Sequence, residues 1–487
     1  MDASDTPLGR FWQEYRRPLA LPQLLALGGV GVAGAVLLVG HRPGLGAAVV
    51  GAALWAPAVP ALVRRGARSD LALAALSVAL LAVVAVRDAG WLVLLCAAVA
   101  ALTGMVAATS SRSTAALLLT VPTWFASLVR SMPWVARTVA YSAGARSRQT
   151  LVALRSVGLT VALLVVFGLL FASADRVFAS YLPRVTLDVL PGQVVVGVMV
   201  AVVAATIAHL AVAPPAWNDL RVGPGRPARR NEWLLPIVAL DVMVLAFVLV
   251  QVGALVGGHA YVEATAGLSY AQYAREGFAQ LVAATALTLV VVGVAVRHAP
   301  RASVADRRVV RVALGVLCLG TLGVVASALR RMDLYVDAFG LTRLRLFVVV
   351  VEVVLAVVLL LVMAAGLRAG DRRGAWLPRA VLGVVGVAVL GLAAVNPDAV
   401  ILRHNVQADL EVPLDVWYLQ GLSADALPDA ARLEEPLRSC VLADMSAIAP
   451  DDLAGWNAGR DAARTALETG DSVRATSWET CLDSGRW

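Results

Sequence analysis

The chain has 487 residues, of which 60% are hydrophobic and only 15% charged, with a mean hydropathy of +0.78. An ordinary soluble domain is about a quarter charged, so a water-soluble globular enzyme is excluded. The formal charge of +8 comes from 41 Arg without a single Lys, set between long apolar runs; it marks loops at a membrane surface and excludes a nucleic-acid footprint.

Apolar runs long enough to cross about 30 Å of hydrocarbon recur along the chain. They predict an all-α fold, a polytopic membrane helix bundle of about eleven transmembrane helices with a small helical C-terminal extracytoplasmic domain. No cleavable signal peptide is evident. The first run, residues 21–40, follows "RFWQEYRRP" and is long enough to remain as a signal anchor. It contains "GVGVAG", Gly29 to Gly34, which fits a dinucleotide-binding pattern. No strand precedes it, so small residues for close helix packing are the better reading.

Further spans are expected over residues 44–63, 71–86 and 90–108. Next comes "AALLLTVPTWFASLV", Ala115 to Val129, with Pro122 in its middle. Together with Trp124, Phe125, Arg130, Trp134 and Arg137 it suits an amphipathic segment on an anionic leaflet; a re-entrant piece is the alternative. Spans follow over residues 151–172, 192–212, 233–256, 279–297, 309–328, 344–365 and 376–395. The expected division is 1–150, a first membrane segment; 151–395, a membrane core; and 396–487, an acidic domain outside the membrane.

Arg sets the direction. With the N-terminus cytoplasmic, the inside segments hold 22 Arg and the outside loops 8, the bias of cytoplasmic loops. The C-terminus is then extracytoplasmic. The polar, aromatic segments gather on that outer side, among them "GLSYAQYAREGFAQL" and "RRMDLYVDAFGLTR".

Residues 396–487 hold 16 acids and 7 Arg, in contrast to the basic body before them. Ser423 and Asp451 read as helix N-caps there. Cys96 and Cys318 fall within predicted helices as small apolar groups. Cys440 and Cys481 both lie in the tail, where an oxidising compartment would make them a disulfide.

Two acids, Asp241 and Glu352, sit deep in apolar runs. Each is a proton- or ion-relay candidate, or a neutral carboxyl bonded to a neighbouring helix. The outer segments offer Tyr273, Arg275, Asp333, Arg343 and Asn405 as a ligand-binding group, since Arg beside Tyr can grip phosphate or carboxylate; an aromatic belt with snorkelling Arg is the alternative. No P-loop, zinc-protease helix or nucleophile elbow occurs, and no two of the five His have metal-ligand spacing. Neither a metal nor a cofactor nor a catalytic residue is assigned.

The phrases "SADRVFASYL", "FVLVQVGALVGG", "YAQYAREGF", "YVDAFGLTRLRL", "NPDAVILRHN" and "DVWYLQGLSADALP" occur in this order over roughly residues 165 to 430. In them the chain resembles a bacterial membrane family catalogued as domain of unknown function 4153, with its relative 4173. The resemblance implies an integral membrane protein and brings no catalytic residues. Three functions stay open. One is binding or transport of an envelope-related anionic small molecule at the outer face. Another is a sensor or scaffold whose tail meets an extracytoplasmic protein. The third is a lipid-linked transferase at the outer face, disfavoured because the first outer loop is little more than "HRPG". The bilayer is the one partner common to all three.

Overall fold

The computed structural model describes residues 19–145, 190–220, 229–266, 278–299, 303–367, 376–443 and 448–469, with single positions such as Phe11 and Cys481. Helices make up the described fold, and no strand occurs among these residues. Nine of the helices are long and apolar enough to cross a membrane, counted over the described residues. The protein is an all-α membrane helix bundle. Its chain divides into two compact units: residues 1–220, 423–428 and 447–471 form the first, and residues 221–422, 429–446 and 472–487 the second.

In unit 1, α1 (Leu21–Leu38) packs along α8 (Leu190–Val212) where side chains are missing. A Cβ on Gly31 would stand 3.0 Å from the Gly197 carbonyl oxygen, and one on Gly34 would collide with Val200. Small residues let two backbones approach where lipid offers no hydrophobic drive to association. The run expected as one span over 44–63 is instead broken into α2 (Leu45–Ala53) and α3 (Val59–Arg65). Pro57 and Pro60 are the reason, since each lacks an N–H and crowds the preceding turn. Arg65 donates to the carbonyls of Leu210 and Ala211 at the end of α8, where a cation meets the negative pole of the helix. The α4 helix (Arg68–Ala82), extended by a short 3₁₀ turn, lies against α5 (Gly90–Thr109), with Ser77 donating to the Ala100 carbonyl at 2.8 Å.

After the short α6 (Thr114–Leu118), α7 (Thr120–Ala145) carries the stretch whose placement the sequence left open. Its buried side is a line of hydroxyls and one indole: Thr120, Thr123, Ser127, Ser131, Trp134 and Thr138. Phe125, Val129 and Met132 are exposed on the other side. Trp217, just beyond α8, donates to Thr123; Ser131 meets Thr206 at 3.2 Å; Thr138 accepts from the backbone N–H of Leu19, just before α1. These partners gather α7 against one end of α1 and α8, and α7 is not among the helices long and apolar enough to cross a membrane. The expected span 151–172 falls almost wholly outside the described residues.

Unit 2 is built on α9 (Arg230–Ala266), α10 (Phe278–His298), α11 (Val304–Phe339), α12 (Arg343–Leu367) and α13 (Leu377–Val395). Trp233, Ile237, Val292, Leu314, Leu317 and Leu359 pack into its core. Gly320 and Gly323 let α9 approach, their missing side chains replaced by Val244 and Val248. Ser303 caps α11 reciprocally with Asp306. The helix then runs 36 residues, about 54 Å, well beyond the hydrocarbon thickness. Arg330 to Asp337, expected in an outer loop, therefore ride on helix: no breaker intervenes before Gly340, whose φ of 78° ends it. Beyond α13 come α14 (Pro397–Gln407), α15 (Val416–Gln420) and α16 (Leu437–Leu442).

The acidic tail is shared between the units. In unit 1, Leu45 and Gly46 donate their backbone N–H groups to Trp456 and Ala454 at 2.8 and 2.7 Å, ahead of the tail helix α17 (Ala458–Thr469).

Candidate functional site

The residues singled out in sequence divide at once. Tyr273 and Arg275 lie outside the described residues. Asp333 is 60% exposed and paired at 2.6 Å with Arg330, one turn away on α11. Arg343 and Asn405 come to the same end of unit 2, where both are engaged with the protein itself.

The turn from α11 to α12 explains their roles. Gly340 takes a left-handed conformation, leaving the amide and carbonyl of Leu341 without helix partners. Asn405 on α14 supplies both: its amide oxygen accepts from the Leu341 N–H, and its Nδ2 donates to the Leu341 carbonyl at 2.9 Å. A Cβ on Gly340 would stand 2.9 Å from that amide oxygen, so the turn and the clamp require each other. Arg343, the first residue of α12, grips Asp398 with Nε at 2.9 Å and with Nη2. Asp398 is fully buried, and Arg343 is 32% exposed. Nη2 also donates to the Gly421 carbonyl at 3.1 Å, and the Arg343 N–H donates to the Tyr418 hydroxyl at 2.8 Å. Arg345 lies over the Tyr335 ring at 4.1 Å and donates to the Phe339 carbonyl. Asp398 and Tyr418 were not singled out in sequence, although both sit in quoted phrases. Asp398 occupies the first turn of α14, where a carboxylate is ordinarily read as helix chemistry.

Beside this framework lies a cavity of ≈ 380 Å³, walled by Asn405, Val406, Leu410, Val412 and Leu414 on one side and by Glu434 to Leu437 on the other. Glu435 accepts from Arg438 and from Ser439; these bonds hold its carboxyl below the usual range, outweighing desolvation by burial, which raises it. Cys440 and Cys481 are joined by a disulfide with Cα atoms 5.5 Å apart, and Gln420 donates to the Cys440 carbonyl at 2.7 Å.

A second polar cluster forms in unit 1, and in it Asp451, expected as a helix N-cap, instead lies ahead of α17 and accepts from Arg460. Arg460 reaches Asp451 with Nε and Asp88 with Nη1, each at 2.7 Å, and donates to the carbonyls of Pro43 and Gly455. Burial opposes its charge, but the two carboxylates more than offset this and raise its pKa. Asp425 is buried and accepts from the backbone N–H groups of Asp88 and Ala89 at 2.8 and 2.9 Å. Burial raises its pKa; those N–H groups oppose the rise without cancelling it. His41 meets Asp452 at 2.5 Å.

The two intramembrane acids behave as isolated groups. Glu352 is 0% exposed, and neither of its oxygens has a hydrogen-bond partner; Asp241 is buried with Oδ1 unbonded. The two are therefore not bonded to each other. No cluster of three or more metal-ligating side chains occurs among the described residues.

A family model described as "Domain of unknown function (DUF4153)" matches residues 75–433. No curated protein and no solved structure matches.

Proposed function

This chain belongs to the DUF4153 family, and on that premise we propose a multi-pass protein of a bacterial cell membrane that binds a small molecule at its extracytoplasmic face, for uptake or sensing. The observation that carries the reading is the cavity beside Asn405, whose lining mixes aliphatic side chains with the polar groups of Asn405, Glu434 and Glu435. Its size is within the range of small-molecule sites. The Asn405 clamp and the Arg343–Asp398 pair hold one wall in place.

The chemistry of the rim selects the ligand. Arg343 is committed to Asp398 and Asn405 to Leu341, so what the cavity presents is the acceptor group of Glu434. A ligand with an apolar body and ammonium or hydroxyl donors suits it. An anionic ligand would need a cation from elsewhere, and Arg275 is the candidate for that role. Orientation follows from the Arg bias. It is supported by the tail segments of unit 1, which bond to residues 45–46 and 88–89, next to the two loops that the bias leaves outside.

Thermal-shift titration of the purified full-length protein tests this, with glucosamine, N-acetylglucosamine and glucuronate as probes. The amine should stabilise the protein most. The effect should weaken several-fold in Glu434→Gln and vanish in the cavity-filling Val412→Trp. Stabilisation by glucuronate alone would restore the anionic reading, and an amine effect indifferent to Val412→Trp would sink the cavity. A second reading, a sensor or scaffold with a protein partner, is favoured by Leu453 and Trp456. They stay 58% and 39% exposed on a tail segment whose backbone is pinned to unit 1.

A further inference from the structure

A second cavity, of ≈ 230 Å³, opens among α10, α11, α12 and α13, at the end of unit 2 opposite Arg343. Its walls are aliphatic, from Val292, Leu314, Val362 and Met363 among others, down to the thiol of Cys318. Arg307 and Arg311 line it as well, one turn apart on α11. From Arg307 to Cys318 the helix rises about 16 Å, half the hydrocarbon layer. Below its charged rim the described lining side chains are aliphatic down to Cys318, and a void left empty forfeits packing on every wall. Arg311 is exposed and has no carboxylate partner among the described residues. The same end of α10 and α11 carries Arg297 and Arg308.

We propose that this cavity is a site for one anionic phospholipid. An acyl chain lies along α11 toward Cys318, and the phosphate is held by Arg307 and Arg311. Guanidinium groups grip phosphate oxygens with paired N–H donors, whereas a zwitterionic head brings its own cation into competition. The Arg bias puts this end in the cytoplasmic leaflet, where anionic lipid is found. Gly315 and Gly366 both line the cavity, and a Cβ on either would meet nothing within 4 Å. Leucine at these positions can fill the chain site without disturbing the helices.

The test is native mass spectrometry of delipidated full-length protein in neutral detergent. Phosphatidylglycerol and phosphatidylcholine with identical acyl chains are titrated in. The wild type should retain one phosphatidylglycerol about tenfold more tightly than phosphatidylcholine. Arg307→Gln/Arg311→Gln should erase the preference, and Gly315→Leu/Gly366→Leu should abolish retention while its melting temperature stays at or above the wild-type value. Retention unchanged in both variants would mean annular lipid only and overturn the site. Loss in the Arg variant alone would reduce it to a surface headgroup contact, and loss in the Leu variant alone would remove the anionic specificity; either result refutes the proposal as stated.

Discussion

Removing the Asp398 carboxylate strands the guanidinium of Arg343 at the head of α12. A fully buried ion pair broken on one side costs about 3–5 kcal/mol. Arg343 keeps a third of its surface in solvent, so Asp398→Ala should cost nearer 2–3 kcal/mol once screening is allowed for. Thermal unfolding in detergent measures it, and Arg343→Met added to Asp398→Leu should recover most of the loss. A single variant as stable as the wild type would show the pair to be idle. Asp425 gives a pH signature. Burial lifts its carboxyl above the ordinary value of about 3.9, so the folded state holds that proton more tightly than the unfolded one. Docking of the 423–428 segment is then strongest in acid and weakens as pH climbs from about 4 through the folded pKa. Hydrogen exchange at the Ala89 amide, corrected for intrinsic rate, should show protection falling over that window, and Asp425→Asn should flatten the dependence.

At the scale of elements, the Cys440–Cys481 bond closes a separation of 41 residues. In the chain-entropy model that is worth about 4 kcal/mol. Cys481→Ser should therefore lower the melting temperature and raise proteolysis of the tail; an unaltered melting curve would show that the α15 and α16 contacts suffice alone. The same scale shows what the sequence could tell. Long apolar runs such as those of α5 and α13 were legible because a membrane leaves a helix no alternative. The break at Pro57 and Pro60 was written in the residues but masked by the hydrophobicity of the run. The extension of α11 through "RRMDLYVDAF" was hidden because charged residues resemble a loop when only hydropathy is read. Arg343 and Asn405 were legible as unusual residues, but not as partners of Asp398 and Leu341. Hydrogen-bond pairing across 55 to 64 residues leaves no local pattern.

For the whole molecule, the direction of insertion is the open coordinate, and the Arg bias commits it. In a Cys96→Ser/Cys318→Ser background, Pro450→Cys should react with an impermeant maleimide on intact cells. Labelling only after permeabilisation would reverse the topology and move the Glu434 cavity to the cytoplasm. The unit boundaries carry a consequence for biosynthesis. After Leu422 the chain passes between the units four more times, giving residues 423–428 and 447–471 to one and 429–446 and 472–487 to the other. Synthesis runs from the N-terminus, so unit 1 lacks its full set of residues until residue 471 has left the ribosome, and unit 2 until the stretch 472–487 has followed. Maturation should therefore be late and joint rather than sequential. A stop codon after Leu422 should leave both units open to protease together, even though the nine long apolar helices found among the described residues all precede it.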